Sequence, residues 1–158
     1  MVDNHGHAGY KGIRTYLTRD GKAGFAIEKD GNVVSVFSTV KGSNALGKLI
    51  PFAVEHGGRK LDCFGMGLQN MYARYGAKAV ARTAFNDEFA PDGWDGQSRP
   101  DIVAMTLPRS INTISRVYDK DRRVDISKVP MYPDYDSMQR ARDRSMTRGG
   151  NALGLASQ

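Results

Sequence analysis

The chain has 158 residues, of which 23 are Lys or Arg and 17 are Asp or Glu, and 40% are apolar, for a formal net charge of +6. That length fits one domain with a tail, and a mean hydropathy of −0.49 with no apolar run near the roughly 18–20 residues of a membrane span excludes a transmembrane helix. The single cysteine, Cys63, excludes an intrachain disulfide, and no basic stretch leading into an apolar one opens the chain, so the expected location is cytoplasmic.

Residues 1–12 are polar and glycine-rich and are expected to form a flexible arm. Asp3, His5 and His7 sit in it at a spacing that can hold a metal, but no second cluster of ligands follows, so no metal site is expected. Asp20-Gly21 and Asp30-Gly31 each lie between β-rich runs, which is the strongest short-range hairpin signal. Three antiparallel strands are therefore expected near residues 13–18, 23–29 and 32–38. The period then changes. Leu46, Leu49, Ile50, Ala53 and Val54 recur at helical spacing, Ser43 or Asn44 can cap the start, and His56-Gly57-Gly58 ends the run. Pro51 must kink this helix unless it occupies a first turn.

Residues 60–64 read as a short apolar strand, and the next helix stops at Gly76. A strand from Ala77, an acidic aromatic loop and a last strand at 101–107 complete the order. The order β-β-β-α-β-α-β-loop-β is a mixed α/β arrangement, antiparallel hairpins followed by α-β-α-β crossovers, over residues 13–108. Residues 109–158 read as a basic extension with a short helix and a flexible tail. Its arginines alternate with aspartates, which suits a solvated face better than a nucleic-acid surface.

Several side chains have plain structural readings. Asp62 lies between Leu61 and Cys63, and alternation puts it outward while its neighbours face the core. Cys63 has no histidine in an identifiable partnering position and reads as buried packing. Glu28, Glu55 and Asp62 are the acidic candidates for a general base. Tyr72 and Tyr75, one helical turn apart, suit the core between helix and sheet.

The stretch Met71-Tyr72-Ala73-Arg74-Tyr75-Gly76-Ala77-Lys78, with its preceding strand and helix, resembles the C-terminal half of the GCN5-related N-acetyltransferase family, with Ala77 where the family carries an aromatic. Residues 31–64 resemble its central strand, pyrophosphate loop and third helix, and the likeness covers about residues 20–85. It also resembles acetyltransferase-like modules of phage and mobile elements. The likeness implies an acyl-CoA-dependent N-acyltransferase with acetyl-CoA or another acyl-CoA as co-substrate, and an open cleft between strands 33–38 and 60–64. It implies cofactor contacts at Val36 and Ser38 and a pyrophosphate cradle at Lys41, Gly42, Ser43, Asn44, Ala45 and Gly47. Tyr72 becomes the acid toward the departing thiolate. A small amine or protein acceptor is expected at the acidic loop, through Asp87, Glu88 and Trp94.

Family members begin with a strand and two helices that shape the acceptor site, whereas about twelve polar residues precede the first hairpin here. Either the domain is truncated, or residues beyond Pro108 or a partner supply that wall. The competing expectation is an inactive module of the same fold, docking on a virion or host protein through 109–158.

Overall fold

A computed structural model describes residues 2–4, 12–39, 45–89 and 99–157. Eight strands form one sheet in the order β1-β2-β3-β4-β5-β7-β6-β8. They are β1 (Val2–Asn4), β2 (Arg14–Leu17), β3 (Ala23–Ile27), β4 (Asn32–Ser38), β5 (Lys60–Phe64), β6 (Lys78–Thr83), β7 (Ile102–Thr106) and β8 (Met131–Tyr132). The helices are α1 (Ala45–Lys48), α2 (Ile50–Glu55), α3 (Leu68–Arg74), α4 (Ile111–Val117) and α5 (Tyr135–Ser157). The mixed α/β arrangement expected from the sequence is present.

Both Asp-Gly turns make hairpins: β2–β3 and β3–β4 are antiparallel. Gly21 and Gly31 take positive φ values of 71° and 89°, the backbone that such turns require. Residues 2–4 of the expected arm pair with β2 as β1. The predicted helix over 46–55 is two short helices, and Pro51 lies in the first turn of the second, where its missing N–H costs nothing. At the end of α3, Gly76 has φ +96°, and a Cβ there would lie 2.7 Å from Val117 Cγ2 and 2.8 Å from Pro108 Cγ. The glycine is needed both for the left-handed backbone and for the approach of α4.

The sheet has two covered faces. On one, Phe25, Ile27, Val33, Leu61, Val103 and Met105 pack with Ile50, Val54, Tyr72 and Ala73 of α2 and α3 and with Ile114 of α4. Full burial of each large apolar side chain here contributes about 1.5–3 kcal/mol. On the other face, Ala81, Ile102 and Ala104 pack against Met138 of α5.

Residues beyond Pro108 are thus part of the same body rather than an appended extension. Ile114, Val129, Met138 and Arg142 are all buried, and α5 continues through the stretch expected to be a tail. Its start is fixed twice. Asp134 caps it by accepting from Ser137 N–H at 2.7 Å. Just before it, β8 lies parallel to β6, with Thr83 Oγ1 donating to Tyr132 O at 2.9 Å.

The centre of the sheet is its irregular part. β4 and β5 are parallel but pair only at Asn32↔Lys60 and Val33↔Leu61. β5 then continues its full length against β7, from Lys60↔Thr106 to Phe64↔Ile102, while β4 stays with β3. The register between β3 and β4 shifts where Gly24 faces Phe37 and Ala26 faces Val34, and Ser35 sits there at φ +53°. Two residues of β4 oppose one of β3, a bulge that bends β4 away from β5.

Candidate functional site

The parting of β4 and β5 opens a cleft of about 570 Å³ in the middle of the sheet. Ser35 and Val36 of β4 form one wall, and Asp62, Cys63 and Phe64 of β5 the other. Leu68 and Tyr72 of α3 close it on one face of the sheet, and Tyr135 of α5 on the opposite face.

Tyr72 is 4% exposed. Burial, and then the neighbouring Cys63, hold its phenol well above the usual range for tyrosine, so it carries its proton at neutral pH. Burial, followed by the Asp62 carboxylate, pushes the Cys63 thiol up to about 12. A thiol so held is no nucleophile at neutral pH, and its sulfur lies 3.9 Å from Met105 Sδ. His56 does not partner it: Nδ1 lies 2.8 Å from Phe52 O and the ring packs on Tyr16 at 4.5 Å.

Asp62 departs from its expected outward place. It faces α5, with its side chain 17% exposed, in an ion pair with Arg142, whose side chain is 1% exposed. Arg142 also donates to Leu61 O at 3.1 Å, and the Tyr135 hydroxyl donates to the other Asp62 oxygen. Burial first, then this bond and the charge of Asp62, raise the Tyr135 phenol above its ordinary range. Behind Arg142, Asp143 accepts from Lys60 Nζ at 3.1 Å, and Lys60 also pairs with Asp30 at 3.2 Å. Both cations of the cluster under α5, Arg142 and Lys60, are thus paired with carboxylates and hydrogen-bonded, which is what burial of ionic groups requires.

At the closed end of the cleft, Asn32 Nδ2 donates to Glu28 Oε1 at 2.8 Å. Asn32 Oδ1 is buried and has no partner among the described residues. Glu28 thus stands one residue behind the cleft wall, whereas Glu55 is exposed at the end of α2.

The other expected site residues divide as follows. Val36 lines the cleft, and Ser38 ends the same strand. Ala45 and Gly47 fall in α1, where Gly47 is buried so closely on α3 that a Cβ would lie 2.9 Å from Met71 O. Lys41, Gly42, Ser43, Asn44 and Trp94 lie outside the described residues, as do His5 and His7. Asp87 and Glu88 are exposed, and Asp87 pairs with Arg99 at 3.1 Å. Tyr75 does not line the cleft; its ring packs on Tyr118 at 5.0 Å, at the junction of α3 and α4.

The sequence reading misses Asn32, Tyr135 and Arg142. A signal existed for the last two: Tyr135, Met138, Arg142 and Ser145 recur at intervals of three and four, a helical stripe with an arginine in it. No group of three or more metal-ligating side chains occurs among the described residues, and none of their helices is long and apolar enough to cross a membrane. The chain matches no family model, no curated protein and no solved structure.

Proposed function

We propose that this protein is an acyl-CoA-dependent N-acyltransferase, of the phage or mobile-element type, that transfers an acetyl group to an amine. The observation that carries the reading is the cleft itself. Two central parallel strands pair through two residues and then part at a bulge, with a protonated tyrosine in the wall. A positive φ at Ser35 costs of order 1–3 kcal/mol, and such strain persists where a site uses the resulting shape.

A pantetheine arm fits this chemistry. It is narrow and carries amides, and among the described residues no strand pairs with the β5-facing side of residues 34–37 of β4. The orphaned Asn32 Oδ1 at the closed end is a ready acceptor for an N–H. The resemblance assigns the pyrophosphate to residues 41–47, directly after this strand.

In the reaction, backbone N–H groups of β4 polarise the thioester carbonyl. The neutral amine nitrogen bonds to the carbonyl carbon and the carbon–sulfur bond breaks. Tyr72 gives its proton to the sulfur, and the proton shed by the nitrogen restores the tyrosine through solvent. An acceptor that arrives as an ammonium ion first gives one proton to solvent. Tyr72 holds its proton at neutral pH, so one is available to the departing sulfur; burial raises the phenol further and weakens it as an acid, so its role rests on its place in the cleft wall rather than on a tuned acidity.

The test is turnover and binding in parallel. Tyr72→Phe should bind acetyl-CoA as the parent does and lower kcat by about 10²-fold, the low end for loss of a general acid. Equal kcat in the two proteins would remove Tyr72 from the mechanism. A parent protein that is not stabilised by millimolar acetyl-CoA would leave the fold as a non-enzymatic module.

A further inference from the structure

A transfer reaction needs two substrates to meet at one point, and the structure has a second cavity that shares wall residues with the first. It measures about 440 Å³ and runs between the end of β6 and the start of α5, along Thr83, Phe85, Asp87, Pro133 and Asp136. The two cavities share two wall residues, Ile102 and Tyr135. Ile102 is apolar and 5% exposed, so the one polar side chain common to both walls is Tyr135, through its hydroxyl.

That hydroxyl is fixed in place. It donates to Asp62 Oδ2, the other Asp62 oxygen is held by Arg142, and Arg142 is anchored on Leu61 O. The ring rides on the first turn of α5, which Asp134 caps and β8 pins to β6. A phenol held this firmly can orient a reacting nitrogen at small entropic cost.

We propose that α5 supplies the acceptor side of the site: a primary amine enters through the second cavity, and Tyr135 orients its nitrogen toward the thioester in the β4–β5 cleft. Asp62 and Arg142 act through the tyrosine, as positioning residues. The carboxylates of Asp134 and Asp136 line the second cavity, as does Asp87, whose charge is paired with Arg99, and the remaining negative charge favours a cation over an anion on the way in. The bond changes are those of the proposed transfer, on which this inference rests; Tyr135 keeps its proton on Asp62 and adds no covalent step.

The experiment uses the full chain, acetyl-CoA and three primary amines: spermidine, an aminoglycoside, and an Nα-blocked lysine peptide. The first two represent small-molecule acceptors and the third a protein side chain. With whichever is acetylated, Tyr135→Phe should raise the acceptor KM about tenfold or more, change kcat less than KM, and keep the thermal stabilisation by acetyl-CoA. Asp62→Asn, which retains an oxygen acceptor for the tyrosine, should move KM in the same direction and by less. It also serves as the reading if Tyr135→Phe folds poorly.

An unchanged acceptor KM, or a loss confined to kcat, overturns the assignment. So does a parent protein that is stabilised by acetyl-CoA yet acetylates none of the three amines, and in that case the donor cleft still stands. Absence of stabilisation by acetyl-CoA is the separate failure, that of the acyltransferase reading itself.

Discussion

Replacing Arg142 by methionine tests the cluster that ties α5 to the centre of the sheet. The guanidinium is 1% exposed and bonds the Asp62 carboxylate, Leu61 O at 3.1 Å and Asp143 at 3.3 Å. Breaking a buried ion pair from one side costs about 3–5 kcal/mol, because the remaining charge is stranded. Asp62 retains 17% exposure and its bond from Tyr135, so the low end, about 3 kcal/mol, applies. For a chain of this length that loss lowers Tm by roughly 6–12 °C. Removing the stranded charge as well, in Arg142→Met with Asp62→Leu, should recover most of the loss. The double variant then lacks an acceptor for the Tyr135 hydroxyl, an omission worth about 1 kcal/mol or somewhat more. Urea unfolding of the parent, both single variants and the double variant gives the coupling directly, expected to be at least about 2 kcal/mol. A cost below about 1 kcal/mol for Arg142→Met, or additive single effects, would refute the picture of a charge held by one dominant partner.

The bulge in β4 makes a contrast between two substitutions at one site. Ser35→Val should cost about 1–3 kcal/mol at φ +53° while Ser35→Gly costs little or stabilises, and equal urea midpoints would contradict the backbone assignment. Gly76→Ala should lose about 1–3 kcal/mol, since it adds both strain and a clash with Val117 and Pro108; an unchanged Tm would refute it. Cys63, raised from 9.0 to about 12 by burial and then by Asp62, stays protonated in the native state while the unfolded thiol ionises. Its contribution is fully present below the unfolded value and is lost as pH rises toward 12. Cys63→Ala should therefore lose less stability than the parent between about pH 8 and about pH 10.5, measured by urea unfolding, and parallel losses would count against the burial of the thiol.

Much of the frame is local chemistry and could be read from the chain. Two Asp-Gly pairs place the hairpins, and Gly76 marks the end of α3 because that backbone admits little else. Pro51 required either a kink or a first turn, and the structure takes the turn. Tyr72 was legible as a candidate because its helix and the following strand are defined by neighbours in sequence.

What was not legible depends on distant partners. Asp62 looks outward by alternation, and it does point to the opposite sheet face from Leu61 and Cys63. That face is covered by α5, whose Arg142 is 80 residues away. The stripe that seats α5 contains only one large aliphatic residue, Met138, and an ionic anchor carries no hydrophobic period to reveal it. The bulge at Ser35 is likewise silent in the sequence: serine has no preference for positive φ, and a single serine between Val34 and Val36 does not mark a bulge. The acceptor-side wall that the family resemblance left open is supplied, in this reading, by Tyr135.

Amide hydrogen exchange during titration with acetyl-CoA tests the central claim most directly, that the parting of β4 and β5 is a thioester site. At about 100 times the dissociation constant the protein should gain about 2.7 kcal/mol. The exchange of residues 34–37 in β4 should slow beyond that of the hairpin β2–β3, since the ligand supplies partners where no described strand pairs with them on the β5 side. No stabilisation at millimolar acetyl-CoA, or slowing that spares residues 34–37, would contradict it.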